Sequence, residues 1–277
     1  MVKIITDSST LYTQAEAEKF GVDALPLCVA IGDYQGRDLI SDYDDFYGRI
    51  ANGQHPKSSQ PPVGEVIEHY EKYKGEFIIN IAMADGLSGT YQSAVGARET
   101  VENKEDIHVI NTKTLCGPHR YMLEKAVKMR DEGKTGEEIV AWLEYAADHN
   151  ESFLIPQDFD FLRRGGRLTP MAATLGSVLK LKPVMTQVED GRKLDKIAVK
   201  RTMSSAFGVV IDTMKTRNIS EKHIIYVSHA RVEKDALKAK EMLNEAFPGV
   251  EVIILELSHA FITQGGPHCV AIQYIER

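Results

Sequence analysis

The run Phe77-Ile78-Ile79-Asn80-Ile81-Ala82-Met83 decides the fold class of this 277-residue chain. It is apolar at nearly every position, whereas a strand with one face in water alternates apolar and polar residues. Such a strand is typical of a parallel sheet that is covered by helices on both faces. The turn that follows contains Leu87-Ser88-Gly89-Thr90 and leads into a helical segment from Tyr91. A strand, a turn and a helix in this order predict an α/β protein.

The same alternation of short apolar runs and longer amphipathic runs extends over the first half of the chain. It predicts strands at Val2–Thr6, Leu25–Val29, Phe77–Met83 and Ile107–Asn111. It predicts helices at Gln14–Phe20, Asp42–Asn52, Val63–Lys74, Tyr91–Asn103, His119–Glu132 and Gly136–Asn150. We therefore predict an N-terminal α/β domain over residues 1–150, with a mostly parallel sheet flanked by helices.

The second half predicts a C-terminal α/β domain over residues 151–277, with a mixed sheet and helices. Its predicted strands are Phe153–Pro156, Val184–Glu189, Arg192–Val199, His223–Val227, Val252–Glu256 and Cys269–Ile275. Its predicted helices are Met171–Leu181, Thr202–Thr216 and Lys234–Ala246. Asp190-Gly191 is a favoured two-residue turn, so the two strands on either side of it are predicted to form a hairpin. No flexible linker separates the halves, so we expect the domains to pack together with a ligand between them.

The composition argues against several classes of protein. Hydrophobic residues make up 43% of the chain and charged residues 26%, as in an ordinary globular protein. The formal charge of −7 is poorly suited to a nucleic-acid partner. Cys28, Cys116 and Cys269 have no paired spacing, and no histidines stand at ligand spacing, so we expect free thiols and no metal. The sequence shows no signal peptide and no apolar run near the roughly 20 residues of a membrane span, so we expect a cytoplasmic protein.

Two segments combine hydroxyl groups with a predicted helix N-terminus. Lys57-Ser58-Ser59-Gln60-Pro61-Pro62 precedes one helix, and Leu87-Ser88-Gly89-Thr90 precedes another. Serine before proline is a helix-start arrangement, in which the hydroxyl caps free backbone amides. Hydroxyls and unpaired amides at a helix N-terminus together favour an anion. For either segment alone, a simple capping role is the favoured interpretation.

Five segments resemble, in order and spacing, the motifs of the DegV family of bacterial lipid-binding proteins. They are Thr6-Asp7-Ser8-Ser9, Lys57–Pro62, Leu87–Ala94, Phe161–Leu168 and Leu181–Val184. Any one of them is a weak signal, but five in sequence over essentially the whole chain are specific.

The resemblance implies two α/β domains with one long-chain fatty acid, such as palmitate, buried between them. It implies that the hydroxyls of Ser58 and Ser88 hold the carboxylate of the acid, with Ser59, Thr90 and Gln264 alongside. It implies no catalytic residue and no cofactor. The chain would present its fatty acid to a separate kinase, which makes an acyl phosphate for phospholipid synthesis. Its contact with a membrane surface would be transient at most.

One segment departs from the family pattern. Many members have His-x-Gly-Pro-Gly near the C-terminus, where this chain has Gln264-Gly265-Gly266-Pro267-His268. Gln264 stands where the histidine joins the carboxylate network, and glutamine can donate a hydrogen bond but cannot titrate near neutral pH. The replacement puts in question how the chain binds the carboxylate and transfers the acid to a kinase. The resemblance also places Arg167 and Arg201 near the mouth of the pocket, where arginine could steer an anion or dock the partner.

Two alternative functions stay open at this point. The first is a serine hydrolase or acyl transferase with Ser88 as nucleophile, which requires a histidine base within reach. The second is a regulatory module whose surface changes when lipid binds.

Overall fold

The computed structural model describes residues 1–40, 42–174 and 181–277, which divide into two compact units, Met1–Asp148 and His149–Arg277. The strands of the first unit are β1 (Val2–Asp7), β2 (Val22–Leu25), β3 (Cys28–Ile31), β4 (Tyr34–Arg37), β5 (Lys57–Ser59), β6 (Phe77–Ala82) and β7 (Ile107–Asn111). Its helices are α1 (Gln14–Glu18), α2 (Tyr43–Ala51), α3 (Val63–Lys72), α4 (Thr90–Arg98), α5 (Cys116–Asp131) and α6 (Gly136–Asp148).

The main sheet of the first unit has the strand order β2-β1-β6-β7, and all of its strand pairs are parallel. Ile78 and Ile79 of the central strand β6 are fully buried, as its continuous apolar run predicts. The one polar residue of that strand, Asn80, donates to the Tyr70 hydroxyl of α3 at 2.7 Å. A polar group is tolerated in this core because its hydrogen bond is satisfied there.

A second, three-stranded antiparallel sheet with the order β4-β3-β5 was not predicted. The predicted strand Leu25–Val29 is wrong as one element, since it covers the end of β2 and the start of β3. Pro26 lies between them, and a proline has no backbone N–H with which to continue a ladder. The helix predicted from Val63 begins at that residue, but the predicted serine cap is wrong, because Lys57–Ser59 forms the edge strand β5 and α3 has no side-chain cap.

Asp23 on the edge strand β2 ties the main sheet to α3. Its carboxylate accepts hydrogen bonds from the Tyr73 hydroxyl at 2.6 Å and from His69 Nδ1 at 2.8 Å. Burial alone raises the pKa of Asp23, but the hydrogen bonds from His69 and Tyr73 and the nearby Lys72 charge outweigh it and hold that pKa well below its usual range. The charged form of Asp23 therefore contributes to the stability of the first unit.

The strands of the second unit are β8 (Asn150–Ile155), β9 (Lys182–Val188), β10 (Lys193–Lys200), β11 (His223–His229), β12 (Glu251–Glu256) and β13 (Val270–Glu276). Its helices are α7 (Phe159–Gly165), α8 (Pro170–Ala173), α9 (Met203–Lys215), α10 (Glu233–Ala246) and α11 (His259–Gly265). The sheet has the order β10-β9-β8-β13-β11-β12, and only the β11–β12 pair is parallel. The mixed sheet agrees with the prediction.

The β9–β10 hairpin forms as predicted, but its turn is longer than the predicted Asp190-Gly191 pair. Val188 pairs with Lys193, so four residues connect the strands, and Glu189, Asp190 and Gly191 all have positive φ. Of the predicted helix Met171–Leu181, residues 171–173 are helical, while residues 175–180 lie outside the described ranges.

The described helices are too short for a membrane span, the longest being α5 with 16 residues. The three cysteines form no disulfide with one another; Cys116 and Cys269 are buried and Cys28 is partly exposed. Burial raises the pKa of the Cys269 thiol to about 12, so it stays protonated at neutral pH.

Candidate functional site

Ser88 lies in the turn that connects β6 to α4, at the carboxyl edge of the parallel sheet. Backbone hydrogen bonds hold the turn: the Ala84 N–H donates to the Thr114 carbonyl at 2.9 Å, and the Leu87 and Ser88 N–H groups both donate to the Ala84 carbonyl at 3.2 Å. Ligands of open α/β sheets bind at this edge, beyond the carboxyl ends of the strands. The turn therefore presents Ser88 where the fold favours a ligand.

Ser88 and Thr90 form a hydroxyl pair at the N-terminus of α4. Their oxygens are 2.8 Å apart, and Ser88 Oγ also accepts the Thr90 backbone N–H at 3.3 Å. Gly89 is the N-cap residue and supplies no side-chain cap. Because two hydroxyls that share one hydrogen bond keep a second O–H for another acceptor, the pair can donate to an anion at the positive end of the helix.

Ser58 lies in a strand and not at a helix start, where the sequence placed it. It lies in the edge strand β5, opposite Val29 of β3, and does not cap a helix. The helix α3 begins at Val63 with Pro62 as its N-cap residue and without a side-chain cap. Ser58 is partly buried and Ser59 is exposed, and successive side chains of a strand point to opposite faces. Ser58 and Ser59 therefore cannot both face the same ligand from a regular strand.

The Ser58 and Ser88 segments meet through Gln60 and Gly89. A Cβ atom placed on Gly89 would lie only 2.9 Å from Gln60 Oε1. Gly89 thus allows the Gln60 amide to lie against the turn that carries Ser88. Sequence reasoning did not single out Gln60, although it stands within the quoted motif.

A second group of the predicted residues meets around Gly165 in the second unit. An Arg167 guanidinium N–H donates to the Gly165 carbonyl, and a Cβ atom on Gly165 would collide with Gln264 Oε1. The Leu-x-x-Gly-Gly-Arg segment and the departing C-terminal segment are therefore neighbours. Gln264 Oε1 is buried and has no hydrogen-bond partner among the described residues, while its Nε2 lies 3.4 Å from Thr263 Oγ1.

The structure does not bring His268 or Arg201 into that group by any described contact. His268 is exposed, and its φ of 64° lies in the left-handed region that favours glycine. That conformation explains why a glycine suits the position in the family motif. Arg201 is exposed, directly after β10.

A buried polar cluster at the end of β1 was not foreseen as a unit. Asp7, Ser8 and Ser9 are each at most 2% exposed. The Asp7 carboxyl group accepts the Ser9 N–H at 2.8 Å and the Met83 N–H at 3.0 Å. Ser8 Oγ donates to Asp38 at 2.7 Å and accepts the Leu27 N–H at 3.1 Å. The cluster thus links the end of β1 to Met83, which precedes the turn of Ser88, and to Leu27, which precedes the strand β3 that pairs with Ser58.

The third member of the cluster, Ser9, lies 2.6 Å from His119 Nδ1. His119 Nε2 lies 3.1 Å from the Ile81 carbonyl, which can only accept, so Nε2 carries the proton. Nδ1 is therefore the acceptor and the Ser9 hydroxyl is its donor. Burial lowers the pKa of His119, against the opposing effect of the nearby Asp7, which agrees with a neutral ring.

This serine–histidine pair does not amount to a hydrolase site. Ser9 and His119 are both fully buried, so no substrate reaches them. Ser88, the nucleophile of the alternative hypothesis, has Thr90 and not a histidine as its hydroxyl partner. Nucleophilic catalysis by a serine requires a base within hydrogen-bond reach, and the described contacts of Ser88 do not supply one. Within the described ranges, no group of three or more metal-ligating side chains comes together.

Comparison with known proteins gives matches over the whole chain. A sequence model described as the DegV family matches residues 1–277. A DegV domain-containing protein of Staphylococcus aureus is 30% identical over 252 residues, which are 88% of this chain and 88% of that protein. Another, from Clostridium perfringens, is 27% identical over 260 residues, which are 91% of this chain and 89% of the relative.

Solved structures agree with these sequence matches. A DegV lipid-binding protein of Thermotoga maritima is similar with a TM-score of 0.85 and 27% identity, over 100% of this chain and 99% of that chain. DegV of Bacillus subtilis, a fatty-acid-binding protein, gives a TM-score of 0.84 and 26% identity with the same coverage. The predicted α/β fold class is confirmed by this similarity.

Proposed function

This chain belongs to the DegV family, and from that membership we propose that it binds one long-chain fatty acid, such as palmitate, and catalyses no reaction itself. The carboxylate of the acid accepts hydrogen bonds from Ser58 and Ser88, with Thr90 in a supporting position. The relatives from Thermotoga maritima and Bacillus subtilis bind lipid and fatty acid, respectively.

The observation that carries the proposal is the meeting of the two hydroxyl segments in the first unit. The Gln60 amide lies against Gly89, so the strand with Ser58 and the turn with Ser88 are neighbours. Hydroxyl and amide donors that converge beside a helix N-terminus suit a carboxylate, which only accepts hydrogen bonds. Of the two serines of β5, Ser58 is assigned the direct contact, because it is partly buried whereas Ser59 is exposed.

The magnitudes assign different roles to the two ends of the ligand. About 15 buried methylene groups contribute at most ~12 kcal/mol before the costs of association, at ~0.8 kcal/mol each. A single hydrogen bond contributes a net ~0.5–1.5 kcal/mol, and a helix terminus about 0.3–1 kcal/mol. The acyl tail therefore supplies most of the affinity, and the hydroxyl groups orient the carboxylate.

The first test is denaturing extraction of the freshly purified protein, followed by mass spectrometry of what is released. We expect one fatty acid per chain. If the extract is empty and delipidated protein binds none of a panel of saturated and unsaturated acids, the proposal is wrong.

The second test concerns the assigned hydroxyls. Ser58→Ala and Ser88→Ala should each weaken palmitate binding by up to about tenfold, the equivalent of ~1.4 kcal/mol. Ser58→Thr keeps the hydroxyl group and should bind like the wild type. Ser93→Ala is the matched control, because Ser93 lies on the same helix as Thr90 and belongs to neither hydroxyl segment. Equal affinities for all four variants would refute the assignment.

We further propose that the chain presents the bound carboxylate to a separate fatty acid kinase, with Arg167 and Arg201 near the site of docking. Arg201 is the better probe, because it is exposed whereas Arg167 is engaged with the Gly165 carbonyl. Arg201→Glu should slow acyl-phosphate formation by an added bacterial fatty acid kinase without changing palmitate affinity. Wild-type protein that carries palmitate but supports no phosphorylation would contradict presentation and leave the regulatory alternative.

A further inference from the structure

The adjacent buried residues Asp7 and Ser8 hydrogen-bond to two different parts of the chain. One part leads to the segment of Ser58 and the other to the segment of Ser88. Asp7 is 2% exposed and Ser8 is 1% exposed, so neither can touch a ligand directly. Their side chains instead hydrogen-bond backbone N–H groups of two separate segments, Met83 and Leu27. Any effect of these two residues on binding must therefore pass through the backbone.

The path from Asp7 to Ser88 is short. The Asp7 carboxyl group accepts the Met83 N–H at 3.0 Å. Met83 is followed by Ala84, whose carbonyl accepts the Ser88 N–H at 3.2 Å. One side-chain hydrogen bond, one peptide link and one backbone hydrogen bond thus separate Asp7 from Ser88.

The path from Ser8 to Ser58 runs through the small antiparallel sheet. Ser8 Oγ accepts the Leu27 N–H at 3.1 Å, directly before β3, and donates to Asp38 at 2.7 Å, directly after β4. The Asp38 N–H donates to the Leu27 carbonyl at 2.8 Å, so Ser8 holds both chains at the base of this hairpin. Ser58 is paired with Val29 of β3, two residues beyond Leu27.

We propose that the opening Asp7-Ser8 pair positions the two hydroxyl segments separately, Asp7 through the turn of Ser88 and Ser8 through the strand of Ser58. Both are positioning residues, and this assignment rests on the fatty-acid binding proposed above. Replacing either side chain leaves buried backbone N–H groups without their acceptor, so each replacement is costly. Both hydrogen-bonded paths start at the end of β1, one at Asp7 and the other at the next residue, Ser8.

If the two paths are separate, the effect of each positioning variant on palmitate binding depends on which serine hydroxyl has been removed. Ser8→Ala should weaken palmitate binding about fivefold in the wild-type background and in a Ser88→Ala background. In a Ser58→Ala background its effect should fall below about twofold, because the hydroxyl that Ser8 positions is already absent. Asp7→Asn should give the mirror image, with its effect lost in Ser88→Ala and retained in Ser58→Ala.

Backbone amide exchange gives a readout that needs no ligand. Asp7→Asn should speed exchange of the Ser88 amide and leave β5 unchanged, and Ser8→Ala should do the reverse. Thr10→Val is the matched control: Thr10 is buried in the same turn, and its hydroxyl donates to the Asp7 carbonyl and reaches neither path. Thr10→Val should lower the free energy of unfolding without a preferential increase in amide exchange at either the Ser88 turn or β5.

The outcomes separate the two proposals. Wild-type protein that binds no fatty acid overturns the proposed function, while the exchange pattern still decides whether Asp7 and Ser8 hold separate segments. Wild-type binding with equal losses in every background, or exchange that rises in both segments for both variants, overturns the positioning assignment. If Asp7→Asn fails to fold, the Ser8→Ala cycle decides alone, with rescue by Ser8→Thr as the required companion result.

Discussion

Removal of the Ser9 hydroxyl should destabilise the first unit by about 2 kcal/mol. Ser9 and His119 are both fully buried, and the Ser9 O–H donates to His119 Nδ1 at 2.6 Å. Ser9→Ala removes that donor and leaves a buried ring nitrogen without a partner. An unpaired buried acceptor costs roughly 1–3 kcal/mol, and Ser9 and His119 are both 0% exposed to solvent.

The single tryptophan makes this measurable in the intact chain. Trp142 lies on α6, and its ring packs edge to face against Tyr121 of α5, the helix that carries His119. Urea unfolding followed by tryptophan fluorescence therefore reports on the first unit. With a slope of about 2 kcal/mol per molar urea, a loss of about 2 kcal/mol lowers the midpoint by about 1 M. Ser93→Ala is the control and should stay within about 0.5 kcal/mol of the wild type.

The pH dependence checks the same reasoning independently. Because the folded protein holds the pKa of His119 below that of an unfolded chain, its contribution to stability is present above about pH 6.5 and is lost as the pH falls. A change of less than about 0.5 kcal/mol in Ser9→Ala would refute the assigned bond. So would a nitrogen NMR spectrum in which Nδ1 carries the proton at pH 7.

Three further predictions concern Asp23, Gly165 and Ser228. Asp23→Asn should abolish the part of the acid unfolding that wild-type protein shows below about pH 4, because there the unfolded chain protonates Asp23 whereas the folded chain, with its depressed pKa, still holds it charged; urea midpoints between pH 2 and 7 test this. Gly165→Ala should displace the Gln264 amide and lower the melting temperature in a thermal unfolding scan, whereas Gly208→Ala, which has open space at its Cβ, should not. Ser228→Ala should raise the melting temperature by roughly 4 °C, because the Ser228 hydroxyl is fully buried and unpaired within the described ranges.

The parts of the fold that sequence could predict are those in which local pattern and final environment agree. The strand β6 is apolar on both faces because helices cover both faces, and the pattern alone shows this. The strand β5 has the sequence Lys-Ser-Ser and no apolar residue. Its extended form depends on pairing with β3, about 30 residues earlier in the chain, and such non-local pairing leaves no local signal.

The same distinction applies to the candidate site. Ser88 could be located from sequence because a turn after a parallel strand has a known place in the sheet. The link between Ser9 and His119 spans 110 residues and joins elements whose spacing carries no motif. Sequence could identify the Asp-Ser segment by resemblance, but only the folded chain shows that Asp7 and Ser8 hold different segments.

The correction at Ser58 changes how the proposed carboxylate would be bound. Two helix N-termini, each with a serine cap, would supply two favourable dipoles in addition to two hydroxyls. With Ser58 on an edge strand, α4 is the helix whose N-terminus carries the hydroxyl pair, so under the proposed assignment the Ser58 side would contribute a hydrogen bond without a serine-capped helix N-terminus. A hydrogen bond depends steeply on distance and angle, whereas a dipole field does not. The position of β5 would therefore have to be held more closely than a helix cap requires. This gives a physical reason for the buried Ser8 hydroxyl at the base of the β3–β4 hairpin, with which β5 pairs.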